Sequence, residues 1–226
     1  MQLTVFSSLA LLFGVSFGSA IPTKDINHAE IFAANLTSPA DGQMSSQRNG
    51  NFVIVNQCYY DVYVWEAWNN YQSNMFVIKA RSPYRKEFVT SYAGCSNNCG
   101  VTYKVTKTPN IVGGQGGNQV QFEYSSKDGI LDYDISFVDC AKNLGYRTGD
   151  ASNCPAWDQG IRIDGQNGFG CRTMDCGARQ MCIGDGTGAY YIDQPAPKWG
   201  LGEPVGTCPT LSMEVYNRLC ASNPDL

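Results

Sequence analysis

Residues 119–139 read QVQFEYSSKDGILDYDISFVD, and this stretch carries the clearest fold signal in the chain. Apolar and polar residues alternate along both of its halves, and Ser126-Lys127-Asp128-Gly129 separates the two. Such alternation is typical of half-buried strands, and Asp-Gly between two alternating runs is typical of a hairpin. The stretch therefore predicts strands near 119–125 and 130–138, each with one face in a core.

The same hairpin predicts which side chains share its outer face. If both apolar rows are buried, the side-chain period of two places Glu123, Asp132 and Asp134 together on the opposite face. Placing like charges opposite each other on neighbouring strands lowers the stability of the fold. Their presence together therefore suggests that they bind a ligand. The plainer interpretation is a solvated polar face.

After Asn49 the chain consists of short runs rich in Val, Ile, Tyr and Phe, separated by Gly, Asn, Ser and Pro. Further strands are predicted near 51–57, 60–66, 75–79, 86–91, 101–107, 189–193 and 212–216. No segment of helix length, about twelve residues, carries a helical apolar period free of Gly or Pro. The predicted fold class is all-β, a sandwich with a loop-rich, cysteine-rich C-terminal third.

Residues 1–20 are predicted to be a signal peptide. An apolar run from Leu9 to Phe17 is followed by Gly18-Ser19-Ala20, small residues that suit a signal peptidase. The run is shorter than the roughly 20 residues that a membrane-spanning helix needs, which disfavours an anchor. We therefore predict secretion, with an extracellular or cell-wall location.

The segment 21–48 is polar, rich in small residues and free of cysteine, as in a pro-segment or flexible arm. It holds a single N-glycosylation sequon, which predicts a glycan on Asn35. The remaining residues, 49–226, are predicted to form a single domain, which we expect to be a monomer.

Ten cysteines follow the predicted cleavage site, at positions 58, 95, 99, 140, 154, 171, 176, 182, 208 and 220. An even number in an exported chain favours five disulfides. A zinc site is disfavoured because His28 is the single histidine, so four thiolates would be needed in an oxidising compartment. The sequence predicts neither a metal site nor a cofactor.

Composition and motifs disfavour several other functions. Charged residues make up 16% of the chain and the net charge is −4, which leaves no basic face for nucleic acid or anionic lipid. The run Gly113-Gly-Gln-Gly-Gly117 lacks the Lys-Ser/Thr ending of a phosphate loop and leads into a strand. With no histidine after His28, a nucleophilic triad is also disfavoured.

Several stretches together resemble the thaumatin-like protein family. NFVIVNQCYYDVYVW at 51–65 resembles that family's opening strands, in which Asn-x-Cys lies between a short strand and an aromatic one. QFEY at 121–124, DYDISFVD at 132–139, GCRTMDC at 170–176 and AYYIDQP at 189–195 follow in the family's order. The chain is most similar to short fungal members, the yeast-phase-specific and antigenic thaumatin-like proteins.

The resemblance implies three disulfides, Cys58–Cys220, Cys171–Cys208 and Cys176–Cys182. For the four remaining cysteines the local pairing is Cys95–Cys99 and Cys140–Cys154. Five residues separate Cys176 from Cys182, where larger members insert a disulfide-rich lobe. That lobe is predicted to be absent, which leaves one wall of the family's cleft open.

The resemblance also implies an acidic cleft, and Glu123, Asp134 and Asp139 match the family's pattern for it. Asp132 is added only because the predicted hairpin register places it on the same face. Three functions remain open. The first is a non-enzymatic extracellular protein that binds a glycan such as β-glucan, or a host or cell-surface protein. The second is a weak β-glucan hydrolase that uses Glu123 and Asp134, and the third is a structural or antigenic wall protein.

Aromatic residues form a second candidate surface, because sugars stack on flat rings. The candidates are Tyr59, Tyr60, Tyr63, Trp65 and Trp68, with Trp157 and Trp199 in loops. The plainer interpretation is that alternate members of the first group fill the core.

Overall fold

The computed structural model describes residues 50–109, 118–145, 148–183, 188–192, 195, 198 and 200–226. The predicted signal peptide, the segment 21–48 with Asn35, the run Gly113–Gly117 and Trp199 lie outside the described residues, so these assignments stay predictions. The described residues belong to one compact unit. Within them, no helix has the length and apolar character that a membrane span requires.

The described residues form fourteen strands and one short 3₁₀ helix, Trp157–Gln159. The strands are β1 (Asn51–Asn56), β2 (Val62–Trp68), β3 (Tyr71–Gln72), β4 (Phe76–Ile78), β5 (Ser82–Glu87), β6 (Cys99–Thr106), β7 (Val120–Lys127), β8 (Ile130–Ser136), β9 (Lys142–Gly145), β10 (Thr148–Asp150), β11 (Ile161–Gly165), β12 (Met174–Cys176), β13 (Gly206–Cys208) and β14 (Val215–Leu219).

Two main sheets are present, and the all-β prediction is confirmed. The first sheet has the order β12-β11-β14-β1-β5, in which β1 and β14 run parallel. The second has the order β13-β8-β7-β6-β2-β3, and β4 also pairs with β2. Strands β9 and β10 form a separate pair.

The core lies between the two main sheets. Phe52 of β1 stacks on Tyr103 of β6 with ring centroids 4.8 Å apart, and its ring also lies 4.9 Å from that of Tyr124 in β7. Fully buried Phe122, Tyr133 and other residues of β6, β7 and β8 extend this layer. Burial of aromatic rings between the sheets supplies much of the hydrophobic stabilisation of a sandwich.

The hairpin of β7 and β8 positions the outer face that concerns function. Asp128 and Gly129 form its two-residue turn, with φ values of 52° and 81°. Positive φ at both central residues is the requirement of a type I′ turn, which matches the twist of the flanking strands. This turn fixes the register, and it places Glu123 directly opposite Asp134.

Three predicted strands differ in position from the structure. β5 occupies 82–87 instead of 86–91, and the last strand occupies 215–219 instead of 212–216. Both lack a clean apolar alternation, since β5 is a polar edge strand containing Pro83 and β14 has Asn217 on its buried row. Near 189–193 the described residues contain a single bridge, between Tyr190 and Ser136.

All ten cysteines are disulfide-bonded. The pairs are Cys58–Cys220, Cys95–Cys99, Cys140–Cys154, Cys171–Cys208 and Cys176–Cys182. The first of them joins the end of β1 to the end of β14 and so reinforces the parallel pairing of these strands.

Candidate functional site

A groove of about 380 Å³ lies on the outer face of the second sheet, across β6, β7 and β8. We call it the acidic groove; its polar lining includes Thr102, Glu123, Asp132 and Asp134, and Val205 lies at its border. The period of two along each strand brings these side chains to one face, while Tyr124 and Tyr133 between them point into the core.

Glu123 and Asp134 are the central pair of the groove. They are cross-strand partners, and Thr102 of β6 is the partner of Glu123 on its other side. The Thr102 hydroxyl donates a 2.8 Å hydrogen bond from Oγ1 to Glu123 Oε1. The Glu123 and Asp134 side chains are also hydrogen-bonded to each other.

A hydrogen bond between two carboxyl groups requires a proton on one of them. Asp134 Oδ1 is shielded from solvent and receives no hydrogen bond from an N–H or hydroxyl donor. Burial raises the pKa of Asp134 well above its ordinary value, and the Glu123 charge and the hydrogen bond to Glu123 raise it further. Burial also raises the pKa of Glu123, although the Thr102 hydrogen bond opposes that shift. We therefore assign the shared proton to Asp134, which donates to the Glu123 carboxylate.

Tyr190 and Glu203 complete the surroundings of this pair. Burial raises the pKa of the Tyr190 phenol, and its hydrogen bond to Glu203 and the charge of that carboxylate raise it further. Tyr190 lies near the pair because its backbone bridges to Ser136 at the end of β8. Sequence reasoning missed both residues as site residues, although Tyr190 lies in one of the stretches that carry the family resemblance.

The other two predicted acids take separate positions. Asp132 lines the acidic groove, and its Oδ1 accepts a 2.9 Å hydrogen bond from Thr207 in β13. Asp139 is exposed and is not among the groove-lining residues; the side-chain amides of Gln119 and Gln121 donate to it. The predicted set therefore separates into three groove residues and one outlying acid.

The aromatic candidates do not form one surface. Trp65 is buried outside the main core cluster, and Tyr59 is 69% exposed beside Arg81. Trp157 packs edge-on against Phe137. The other three rings also have different surroundings. Tyr60 lies under the Lys107 ammonium, Tyr63 pairs across strands with Val77 and Thr106, and the Trp68 ring stacks with those of Tyr71 and Tyr92.

A family model described as "Bys1: Blastomyces yeast-phase-specific protein" matches residues 40–182, well over half the chain, including both strands of the β7–β8 hairpin. The chain belongs to the Bys1 family. The predicted resemblance to yeast-phase-specific proteins is thereby confirmed. None of the curated protein sequences compared with the chain is significantly similar to it.

Two solved structures are similar to this Bys1-family chain. One is the protein elicitor MoHrip2 from Magnaporthe oryzae, with 18% identity and a TM-score of 0.49, covering 76% of this chain and 98% of that one. The other is the thaumatin-like xylanase inhibitor TLXI, with 9% identity and a TM-score of 0.45, covering 75% of this chain and 98% of that one.

The contact between Glu123 and Asp134 bears on glycoside hydrolysis. Retaining glycosidases hold their two carboxyl groups about 5–5.5 Å apart and inverting ones about 6.5–9.5 Å apart, which leaves room for the sugar or for water. Glu123 and Asp134 are direct cross-strand neighbours whose side chains interact with each other, so in this state neither a sugar nor a water separates them.

The raised pKa of Asp134 predicts a pH dependence of stability in this Bys1-family domain. Between the unfolded value of about 3.9 and the higher folded pKa, the folded state binds more protons, so stability falls as pH rises. Asp134→Asn removes that ionisation and keeps an N–H donor toward Glu123. We expect it to raise Tm at pH 8 by about 2–4 °C, the effect of about 1 kcal/mol in a domain of this size, with little gain near pH 4.

Thermal unfolding of both proteins between pH 4 and pH 8 measures this difference. Asp132→Asn is the matched control, because Asp132 lies on the same face of the same strand but is bonded to Thr207. It should follow the wild-type pH profile. Parallel profiles for wild type and Asp134→Asn would contradict the assigned proton.

Proposed function

We propose that this Bys1-family protein is a non-enzymatic extracellular protein that binds a neutral glycan, such as β-glucan, in the acidic groove. The observation that carries the proposal is the groove of about 380 Å³ in which Glu123 and Asp134 face each other as cross-strand partners. Five disulfides support an extracellular location, because such bonds form and persist in oxidising compartments. The setting we propose is the fungal surface or its contact with a host.

The chemistry of the pair favours a neutral ligand with many hydroxyl groups. A carboxylic acid hydrogen-bonded to a carboxylate leaves several oxygen lone pairs free to accept hydrogen bonds, while the shared proton removes one negative charge. Sugar hydroxyls can donate to these oxygens. The Thr102 hydroxyl oxygen, next to Glu123, adds one more acceptor to the same set. A volume of about 380 Å³ also lies within the usual range of small-ligand sites.

Binding to insoluble β-glucan tests the proposal. Wild-type protein is expected to sediment with the glucan, and Asp134→Ala and Glu123→Ala are expected to bind at least about tenfold more weakly. Each substitution removes hydrogen bonds to a charged or acidic group, which typically contribute about 1.5–3 kcal/mol. Asp139→Ala is the control, because this exposed acid is not among the groove-lining residues.

The same assay separates the other functions. No sedimentation of the wild type would contradict glycan binding and favour a structural wall protein or a protein-binding role. Release of soluble sugar by wild-type protein, lost in Glu123→Ala and Asp134→Ala, would instead identify a hydrolase.

A further inference from the structure

The acidic groove extends beyond the Glu123–Asp134 pair. Its lining also includes Gly100 of β6, Ser125 of β7 and Asp132 of β8. Gly100 pairs across strands with Ser125, and Ser125 pairs with Asp132, so these three residues form one row across the sheet, which we call the Gly100 row. We infer that this row is a second sugar subsite, and that Gly100 is the specificity-determining residue that admits a glycan of two or more units. The inference deepens the proposed function and rests on it.

The Gly100 row lies next to the row that contains Glu123 and Asp134, on the same face of the sheet. Gly100 and Thr102 are two residues apart on β6, and Asp132 and Asp134 are two residues apart on β8. Two residues along a strand span about 7 Å and return the side chain to the same face. The groove therefore has two parallel rows, and their spacing suits two consecutive sugar units of one chain.

The Gly100 row has polar groups that can bind sugar hydroxyls. Within the part of the chain that the structure describes, no residue is hydrogen-bonded to the Ser125 hydroxyl. Asp132 Oδ1 accepts the hydrogen bond from Thr207, whereas Asp132 Oδ2 has no partner among the described residues. A hydroxyl donates and accepts hydrogen bonds, and a carboxylate oxygen accepts them. This row therefore offers one donor and at least two acceptors to a sugar.

Gly100 leaves the β6 end of this row open. Among the described residues, a Cβ built at Gly100 has no heavy atom within 4 Å outside its chain neighbours. The pairing of β2 with β6 ends at Ala67 and Thr102, so β2 does not flank Gly100 on its other side. A sugar can therefore approach the bare backbone at this point.

The local backbone does not explain why a glycine occupies this position. Gly100 is not among the glycines with positive φ, and the pairing of β6 with β7 continues through it without a bulge. Glycine weakens a strand, and within one it often marks a bulge, a bend or the close approach of a ligand or another backbone. The register excludes the bulge and the open space excludes a neighbouring backbone, so the approach of a ligand is favoured.

Nuclear magnetic resonance titration with two probes tests the inference. The probes are methyl β-glucoside, which is a single unit, and the β-1,3-linked glucose disaccharide. We expect wild-type protein to bind the disaccharide about tenfold more tightly, because only the disaccharide also contacts the second row. The amide signals of Gly100 and Ser125 should shift with the disaccharide and stay unchanged with the single unit.

Gly100→Val fills the open space with a side chain that favours strands. This variant should bind the disaccharide about tenfold more weakly than wild type does, and the single unit equally well. Its Tm should be at least that of wild type, which separates a blocked subsite from a damaged fold. Lys127→Val is the matched control, because it places the same side chain on an exposed strand position that does not line the groove.

The outcomes separate this inference from the proposed function. Wild-type disaccharide binding in Gly100→Val, or equal losses for both probes, would overturn the second subsite. If Asp134→Ala weakens binding and Gly100→Val does not, the proposed function stands without a second subsite. If Gly100→Val weakens disaccharide binding and Asp134→Ala does not, the Gly100 row binds sugar and the Glu123–Asp134 pair does not. If wild-type protein binds neither probe, both proposals are wrong.

Discussion

Replacing Cys58 and Cys220 together with alanine is expected to lower the free energy of unfolding by about 5 kcal/mol. The bond closes a sequence separation of 162 residues, so its removal gives the unfolded chain a large gain in conformational entropy. Both cysteines are fully buried, and alanine avoids placing an unpartnered hydroxyl there. Denaturant unfolding without reductant measures the loss, which is large beside the usual total of about 5–15 kcal/mol.

Cys95→Ala with Cys99→Ala is the control for loop length. That bond closes a sequence separation of only 4 residues, for which the same entropy relation gives about 2 kcal/mol. The two double variants should therefore differ by about 3 kcal/mol. Equal losses would show that the long bond does not act mainly through the unfolded chain.

The β7–β8 hairpin shows how far sequence can lead to a site. Alternation predicts that Glu123, Asp132 and Asp134 share a face, and the structure places them together in the acidic groove. The alternation determines which face of the sheet a side chain lies on, but it does not determine which residue lies opposite on the neighbouring strand. A turn over 126–129 would pair Glu123 with Asp132, whereas the observed two-residue turn pairs it with Asp134. The proton-sharing contact depends on that shift of two residues.

The rest of the groove depends on contacts between distant segments. Tyr190 lies near the acidic pair because of an isolated bridge to β8, and Glu203 comes from a loop without regular structure. Neither contact follows from a local period, because the backbone there follows long connections held by disulfides. The strands β9 to β13 were missed for a different reason, since each has five residues or fewer and is too short to show a clear alternation.

The side chains of the aromatic strand β2 lie in several different environments. Val62 and Val64 face the core together with Glu66, and Trp65 on the opposite row is buried. A partly exposed group of rings consists of Trp68 from the end of the strand, with Tyr71 and Tyr92 from later segments. Its members come from separate segments, so they are not periodic in sequence.

Glu66 lies on the core-facing row of β2 and is 3% exposed. Its Oε1 accepts a 2.7 Å hydrogen bond from the buried Tyr103 hydroxyl, and its Oε2 is paired with Lys86. The carboxylate thus links β2, β6 and the edge strand β5 across the sandwich. A buried carboxylate is stable only when it is hydrogen-bonded or paired with a cation, and its removal leaves the buried hydroxyl and the cation without a partner.

Glu66→Ala is expected to lower the free energy of unfolding by about 3–5 kcal/mol, because it leaves the Tyr103 hydroxyl without its acceptor and Lys86 without its counter-charge. Denaturant unfolding measures the loss. Tyr103→Phe, which removes a single hydrogen bond, should cost about 1–2 kcal/mol. The exposed pair of Lys79 and Asp61 supplies the surface control, and Lys79→Ala should leave the unfolding midpoint near that of wild type. If Glu66→Ala is no more damaging than Lys79→Ala, the buried network does not join the sheets, and aromatic packing alone holds this end of the sandwich together.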